Sequence, residues 1–183
     1  SRGLGDVYKR QEYLAYRYLI GQVILDKTPR ARTVVNKLDT IDSEFRVFAM
    51  ELLAGEPEYH AEVSESGCLF QLDFRSVYWN SRLHTEHARL IDQFQPFQVV
   101  ADVMAGIGPF AVPAGKKRCY VLANDLNPSC YESLKGNTER NHVATRVAPY
   151  CMDGRAFIQE AVQRCWDAAV SYTHLTLPTI CSV

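Results

Sequence analysis

Val99-Val100-Ala101-Asp102-Val103-Met104-Ala105-Gly106-Ile107-Gly108-Pro109-Phe110 decides how this chain is read. A short apolar run ends in an acid and passes into small residues. That order predicts a buried strand, a tight glycine turn and a helix. Glycine has no Cβ, so backbone N–H groups at Gly106 and Gly108 can reach a ligand. Pro109 suits the opening of a helix, whose first turn has no use for the missing N–H. Asp125 follows about twenty residues later, at the end of a second apolar run from Arg118 to Asn124. A turn of this kind, at the carboxyl edge of a parallel sheet, holds nucleotide-type cofactors.

Downstream, Asn127-Pro128 reads as a cap and first-turn proline for a helix running to about Asn141. Val143 to Cys151 holds a third strand, and Phe157 to Cys165 is helical again. Strand and helix in alternation predict a parallel sheet. Upstream, Glu12 to Leu25 is apolar almost all round and reads as a helix weakened by Gly21. A basic loop, Lys27 to Arg32, precedes a strand starting at Thr33, and Phe45 to Leu53 is a second extended run. Ala61 to Val63 and Cys68 to Phe74 form a hairpin around Ser64-Glu65-Ser66-Gly67, with Phe70, Leu72 and Phe74 on one face. Leu83 to Phe94 is helical, with Thr85 as its expected cap and Pro96 beyond its end. The first half is therefore β-rich and antiparallel.

With 183 residues, the chain makes one large domain or two small ones, and 47% apolar residues suffice for a core. A net charge of −1 gives no global attraction for nucleic acid, so an RNA-binding surface has to be a local patch. No apolar run is long enough to span a bilayer, and the N-terminus lacks the apolar core of a secretory signal. Of the six cysteines, Cys68, Cys119, Cys130, Cys151, Cys165 and Cys181, none forms a C-x-x-C pair or shows metal-ligand spacing. They read as structural thiols of a reducing compartment, and no metal is expected.

Asp125 is placed to accept two ribose hydroxyls, and Asp153, after the third strand, an adenine amine. With Asp102 they make a line of strand ends suited to an adenosyl ligand. Gly106-x-Gly108-x-x-Ala111 also fits the dinucleotide fingerprint, so the glycines alone leave NAD and S-adenosylmethionine open. A plain tight turn between strand and helix would use the same glycines. Glu86 alone reads as a solvated first-turn acid, Arg46 as a strand-surface cation, and His84 and His87 as surface or packed residues. Tyr78 and Trp79 alone read as core.

Larger blocks carry a resemblance. Phe45-Arg46-Val47 with Glu51-Leu52-Leu53-Ala54-Gly55, then Val77-Tyr78-Trp79-Asn80-Ser81-Arg82-Leu83-His84-Thr85-Glu86-His87, then Asp102 to Phe110 and Asn124-Asp125-Leu126-Asn127-Pro128 closely resemble the eukaryotic tRNA (guanine(37)-N1)-methyltransferases. The likeness runs from about Glu12 to about Asp167. It implies an α/β fold: a class I, Rossmann-like methyltransferase sheet, truncated at its C-terminal side, over residues 98–169. A smaller mixed α/β subdomain facing tRNA precedes it over 12–97. It implies S-adenosylmethionine as donor, tRNA as partner and guanine 37 as acceptor, in a metal-free monomer of the cytosol, nucleus or mitochondrion.

By the same resemblance, His87, Asp125, Leu126, Asp153 and Gly154 bind the cofactor together with Asp102, Gly106 and Gly108. Glu86 is the base and Arg46 its electrostatic partner, while Arg82 and Tyr78 are placed on the substrate side. Lys27, Arg30, Arg32 and Lys37 are candidates for phosphate contacts. Lys116-Lys117-Arg118 is expected to close a helix. A non-catalytic RNA-binding module and an NAD-dependent oxidoreductase are the other classes open to such a chain. Residues 1–11 and 170–183 resemble translated sequencing-adapter read-through and are set aside. The family's Asn-Pro loop and its tRNA-gripping N-terminal domain have no counterpart in the sequence, so low stability and little turnover are expected of it.

Overall fold

The computed structural model describes residues 11–41, 45, 47–171 and 179–181. A 3-10 turn at Gln11–Tyr16 leads into α1, Arg17–Lys27, which lies on the antiparallel pair β1, Thr33–Ile41, and β2, Phe48–Gly55. Gly21 is the buried point of α1: a Cβ there would stand 2.6 Å from Cβ of Leu53 on β2. The glycine that weakens the helix by propensity is thus what lets it approach the sheet. The apolar circumference is not buried as a whole, for Leu14, Tyr18, Leu19 and Val23 stay exposed.

The hairpin of β3, His60–Glu65, and β4, Cys68–Asp73, turns at Ser66 and Gly67, both at positive φ. Two such residues in succession match the right-handed twist of the strands. Cys68, Phe70 and Leu72 alternate inward. They share one apolar cluster with Ile91, Val100, Val121 and Leu134, so the hairpin and the parallel sheet have a common core.

Helix α2, His84–Gln93, is entered through a 3-10 turn at Ser81–Leu83, where Asn80 Oδ1 accepts the Arg82 N–H. Thr85 does not cap it, correcting the expectation. Asn80 starts the helical rotation earlier and leaves Thr85 inside the helix. The carbonyls of Ile91 and Asp92 at the far end accept from Lys117 Nζ, a cation at the negative end of the helix.

The second half is a four-stranded parallel sheet in the order β7-β6-β5-β8. Its strands are β5, Val99–Asp102; β6, Tyr120–Asn124; β7, Val147–Tyr150; and β8, Thr179–Cys181. Helices α3, Ala111–Lys116, α4, Pro128–Arg140, and α5, Gly154–Ser171, connect them. Val100 and Val121 point to one apolar cluster, while Ala101 packs with Phe157 and Ala161 of α5 in another, so both faces are covered. The chain builds outward from β5 through β6 to β7, then returns to β5's other side at β8. That reversal is the switch point where ligands of such sheets sit, and β5 carries the Asp102 turn. β8 falls within the C-terminal stretch set aside at the level of sequence.

Two amides of α4 fasten the hairpin to this sheet. Asn137 Oδ1 accepts the Gln71 N–H at 2.8 Å, and its Nδ2 donates to the carbonyls of Gln71 and Ile107. One helical turn on, Asn141 treats Leu69 in the same way, accepting from its N–H and donating to its carbonyl. Both side chains are buried.

Candidate cofactor site at the carboxyl edge of the sheet

Asn124 assembles the site. It ends β6 with its side chain 1% exposed, donating through Nδ2 to the carbonyls of Val103 and Met152 and accepting the Met152 N–H at Oδ1. One amide therefore ties the ends of β5 and β7 to the strand between them. Its own carbonyl accepts the Ala105 N–H at 2.7 Å. Asp102 ends β5, Asp125 follows β6 directly, and Asp153 stands three residues beyond β7, all toward the same edge.

Asp125 accepts the Gly106 N–H at 2.8 Å on one oxygen and the Asn127 N–H at 2.9 Å on the other. Those bonds fix the carboxylate while leaving a lone pair on each oxygen for a ligand. Leu126 beside it is exposed. Asn127 caps α4 by accepting the Ser129 N–H, and its Nδ2 donates to the Ser76 carbonyl, drawing the loop before Tyr78 to this edge. The Cys130 thiol, pushed up to about 12 by burial and then by Asp125, also meets the backbone of Tyr78.

The two glycines divide the labour. Gly106, φ +54°, faces open space, whereas a Cβ on Gly108, φ +100°, would stand 2.7 Å from Leu134 Cδ1. Gly106 leaves room beside it for a ligand, and Gly108 lets Leu134 and Val112 pack close. Gly108→Ala is expected to lose about 2–4 kcal/mol in chemical denaturation, from strained φ plus overlap. Gly106→Ala should lose about 1–2 kcal/mol, the left-handed term alone, and weaken ligand binding instead.

Asp102 is 2% exposed, and its Oδ2 finds no partner among the described residues. Burial, then the neighbouring Asp125, push its carboxyl up to about 7. Asp153 is exposed and caps α5, accepting N–H bonds from Arg155 and Ala156. A Cβ on Gly154 would come within 3.2 Å of Val103 Cγ1, so α5 begins against the end of β5.

The upstream block is gathered less completely. His87 is enclosed, with Nδ1 2.5 Å from Glu65 Oε1 and its ring edge-on to Phe110 at 4.8 Å. It braces the residue that follows Gly108-Pro109. Glu86 is half-buried in the first turn of α2, gripping Arg89 through bonds of 2.6 and 2.7 Å. Arg89 holds the Glu86 carboxyl below the usual range. Arg82 is exposed. Tyr78 is partly open, its ring 6.2 Å from Phe48, with Lys37 Nζ 3.2 Å from the Phe48 centroid and 5.7 Å from that of Tyr78. Lys37 thus lies at the junction of β1, β2 and the Tyr78 loop. Arg46 lies outside the described residues. A groove of about 510 Å³ between the hairpin and α4, lined by His60, Asp73, Ser129 and Glu132 among others, holds none of the predicted site residues. No cluster of metal-ligating side chains occurs among the described residues, and no described helix is long and apolar enough to cross a membrane.

Asn124, Asn137 and Asn141 were not singled out by sequence. Their one signal is an amide ending or lining an otherwise apolar element.

The TRM5/TYW2 methyltransferase domain matches residues 61–182, and the TYW2 N-terminal domain matches residues 6–58. The tRNA (guanine(37)-N(1))-methyltransferase of Coprinopsis cinerea is 62% identical over 157 residues, covering 86% of this chain and 34% of that protein. Trm5b from Pyrococcus abyssi superposes with a TM-score of 0.71 at 33% identity, over 79% of this chain and 44% of that one. Methanocaldococcus jannaschii Trm5, solved in complex with adenosine, superposes with a TM-score of 0.68 at 29% identity, over 78% and 43%. The chain spans about a third of the length of the curated relatives it matches.

Proposed function

Because the chain belongs to the TRM5/TYW2 methyltransferase family, we propose that it is the cofactor-binding and catalytic part of a tRNA (guanine(37)-N1)-methyltransferase using S-adenosylmethionine. The observation that carries this reading is the set of strand-end acids drawn together by Asn124, with Gly106 open beside them. The orphaned oxygen of Asp102 suits a cationic ligand. S-adenosylmethionine, when bound, supplies a sulfonium methyl group open to in-line attack. Asp125 would hold the ribose and Asp153 would receive the adenine amine, with Leu126 and Gly154 lining the same site. The NAD reading of the glycines has no support from these relatives.

Guanine N1 carries a proton and is a poor nucleophile until it leaves. Glu86 accepts that proton. To Arg46 falls the stabilisation of the charge that develops on O6, which is larger in the transition state than before it. Tyr78 and Arg82 position the tRNA. Glu86 can act only once Arg89 releases it, so nucleotide entry has to exchange one partner for another.

Calorimetric titration with S-adenosylmethionine tests the cofactor half. Methyl transfer to tRNA transcripts carrying G or A at position 37, by a chain of the relatives' full length, tests the rest. Glu86→Gln should lower turnover about 10²–10⁴-fold with donor affinity unchanged. A collapse of donor affinity would make Glu86 a binding residue. Arg89→Ala removes the group that depresses the Glu86 carboxyl, so the acidic limb of the pH–rate profile should move to higher pH.

A further inference from the structure

We propose that Asp102 stores a proton in the free protein and surrenders it to solvent when the cationic methyl donor binds beside it. This rests on the cofactor reading above and adds a regulation of the same site by pH.

The argument begins with position. Asp102 ends β5 at the switch point of the sheet, 2% exposed, with Oδ2 unpartnered among the described residues. A buried carboxylate without a hydrogen bond or counter-charge is costly, so such a group keeps its proton. The surrounding elements bring no relief. From β6 comes Asp125, a second acid, already committed to the N–H groups of Gly106 and Asn127. From α4 comes Cys130, whose thiol stays protonated at neutral pH. The β7–α5 turn brings Asp153, a third acid. No ion pair to Asp102 forms among the described residues, and its carboxyl is pushed up to about 7.

S-adenosylmethionine carries a sulfonium and an ammonium against one carboxylate. Such a ligand replaces the proton as the partner of Asp102. The step balances as Asp102 carboxylic acid going to carboxylate, with one proton passing to buffer. Donor affinity therefore rises with pH up to about 7, by as much as tenfold per pH unit, and falls again once the donor's α-amine loses its own proton above about pH 8.

Calorimetric titration of this chain in phosphate and in imidazole, whose ionisation heats differ, counts the protons. Release of nearly one proton per S-adenosylmethionine is expected at pH 6, and close to none at pH 7.5, where loss from Asp102 and uptake by the donor's own amine offset each other. 5′-Methylthioadenosine, neutral at sulfur and lacking the amino-acid part, should bind with no release. Asp102→Asn should bind the donor more weakly and abolish the release. Buffer-independent heat for the donor at pH 6, or release that persists in Asp102→Asn, overturns the proposal. A folded chain that binds no donor at any pH overturns the cofactor reading itself, and this inference with it.

Discussion

Asp102→Asn is expected to stabilise the protein at pH 8 by up to about 4 kcal/mol, and to lose that advantage as the pH falls toward 4. The magnitude is the rise of the Asp102 carboxyl from 3.8 to about 7, at about 1.4 kcal/mol per pH unit. The sign follows from which state binds the proton more tightly. Below pH 3.8 the folded and unfolded chains both carry it, and the acid costs nothing. As the pH rises toward 7 the unfolded chain releases the proton and the folded chain does not, so folding loses stability. Above 7 both have lost it, and the penalty is constant. Asparagine has nearly the shape of the protonated acid and never titrates. Urea unfolding of both proteins from pH 4 to pH 8 reads the effect directly. A difference that stays flat across that range would show that Asp102 is satisfied in the folded state. On the proposal above, the bound donor offsets that penalty.

Asn124→Ala is the opposite case. It should cost about 3–5 kcal/mol and, in whatever remains folded, weaken donor binding strongly. The substitution leaves the carbonyls of Val103 and Met152 and the N–H of Met152 without the amide they share. Each buried backbone group abandoned in this way costs about 1–3 kcal/mol. The loss falls between strand ends, so the spacing of Asp102, Asp125 and Asp153 goes with it. Asn141→Ala provides the comparison. It strips a similar set of bonds from Leu69 and from the end of α4, away from the strand-end acids and the glycine turn. It should therefore destabilise comparably while the surviving folded protein binds the donor almost normally. Equal loss of binding in both would make the Asn124 effect one of general stability.

The contrast between these residues shows what the sequence made legible. The glycine turn, the Asn127-Pro128 helix start and the alternating hairpin are local patterns, and each folds as its spacing predicts. Asn124 was visible only as the last letter of a strand, because its partner Met152 lies 28 residues away. Asn137 was a polar letter in a helix, because Gln71 is 66 residues distant. At Gly108 the spacing did not show that Leu134 and Val112 leave no room for a Cβ, because both close in through the fold. The helix at α1 was legible, but which of its apolar residues are covered depends on β2. Arg89 stands three residues after Glu86, within reach on a helix face, so that ion pair was available to sequence reasoning. The identity of the family was legible because whole blocks, rather than single residues, carried it.

The pair of amides that α4 lays along β4 has a bearing on how such chains behave in a crowded solution. A strand with free N–H and C=O groups is a rail on which a neighbouring polypeptide can pair, and growth along it leads to insoluble material. Leu69 and Gln71 offer no such rail, because Asn141 and Asn137 occupy donor and acceptor on each. The hairpin is thus closed by side chains on the flank where another sheet would need a further strand.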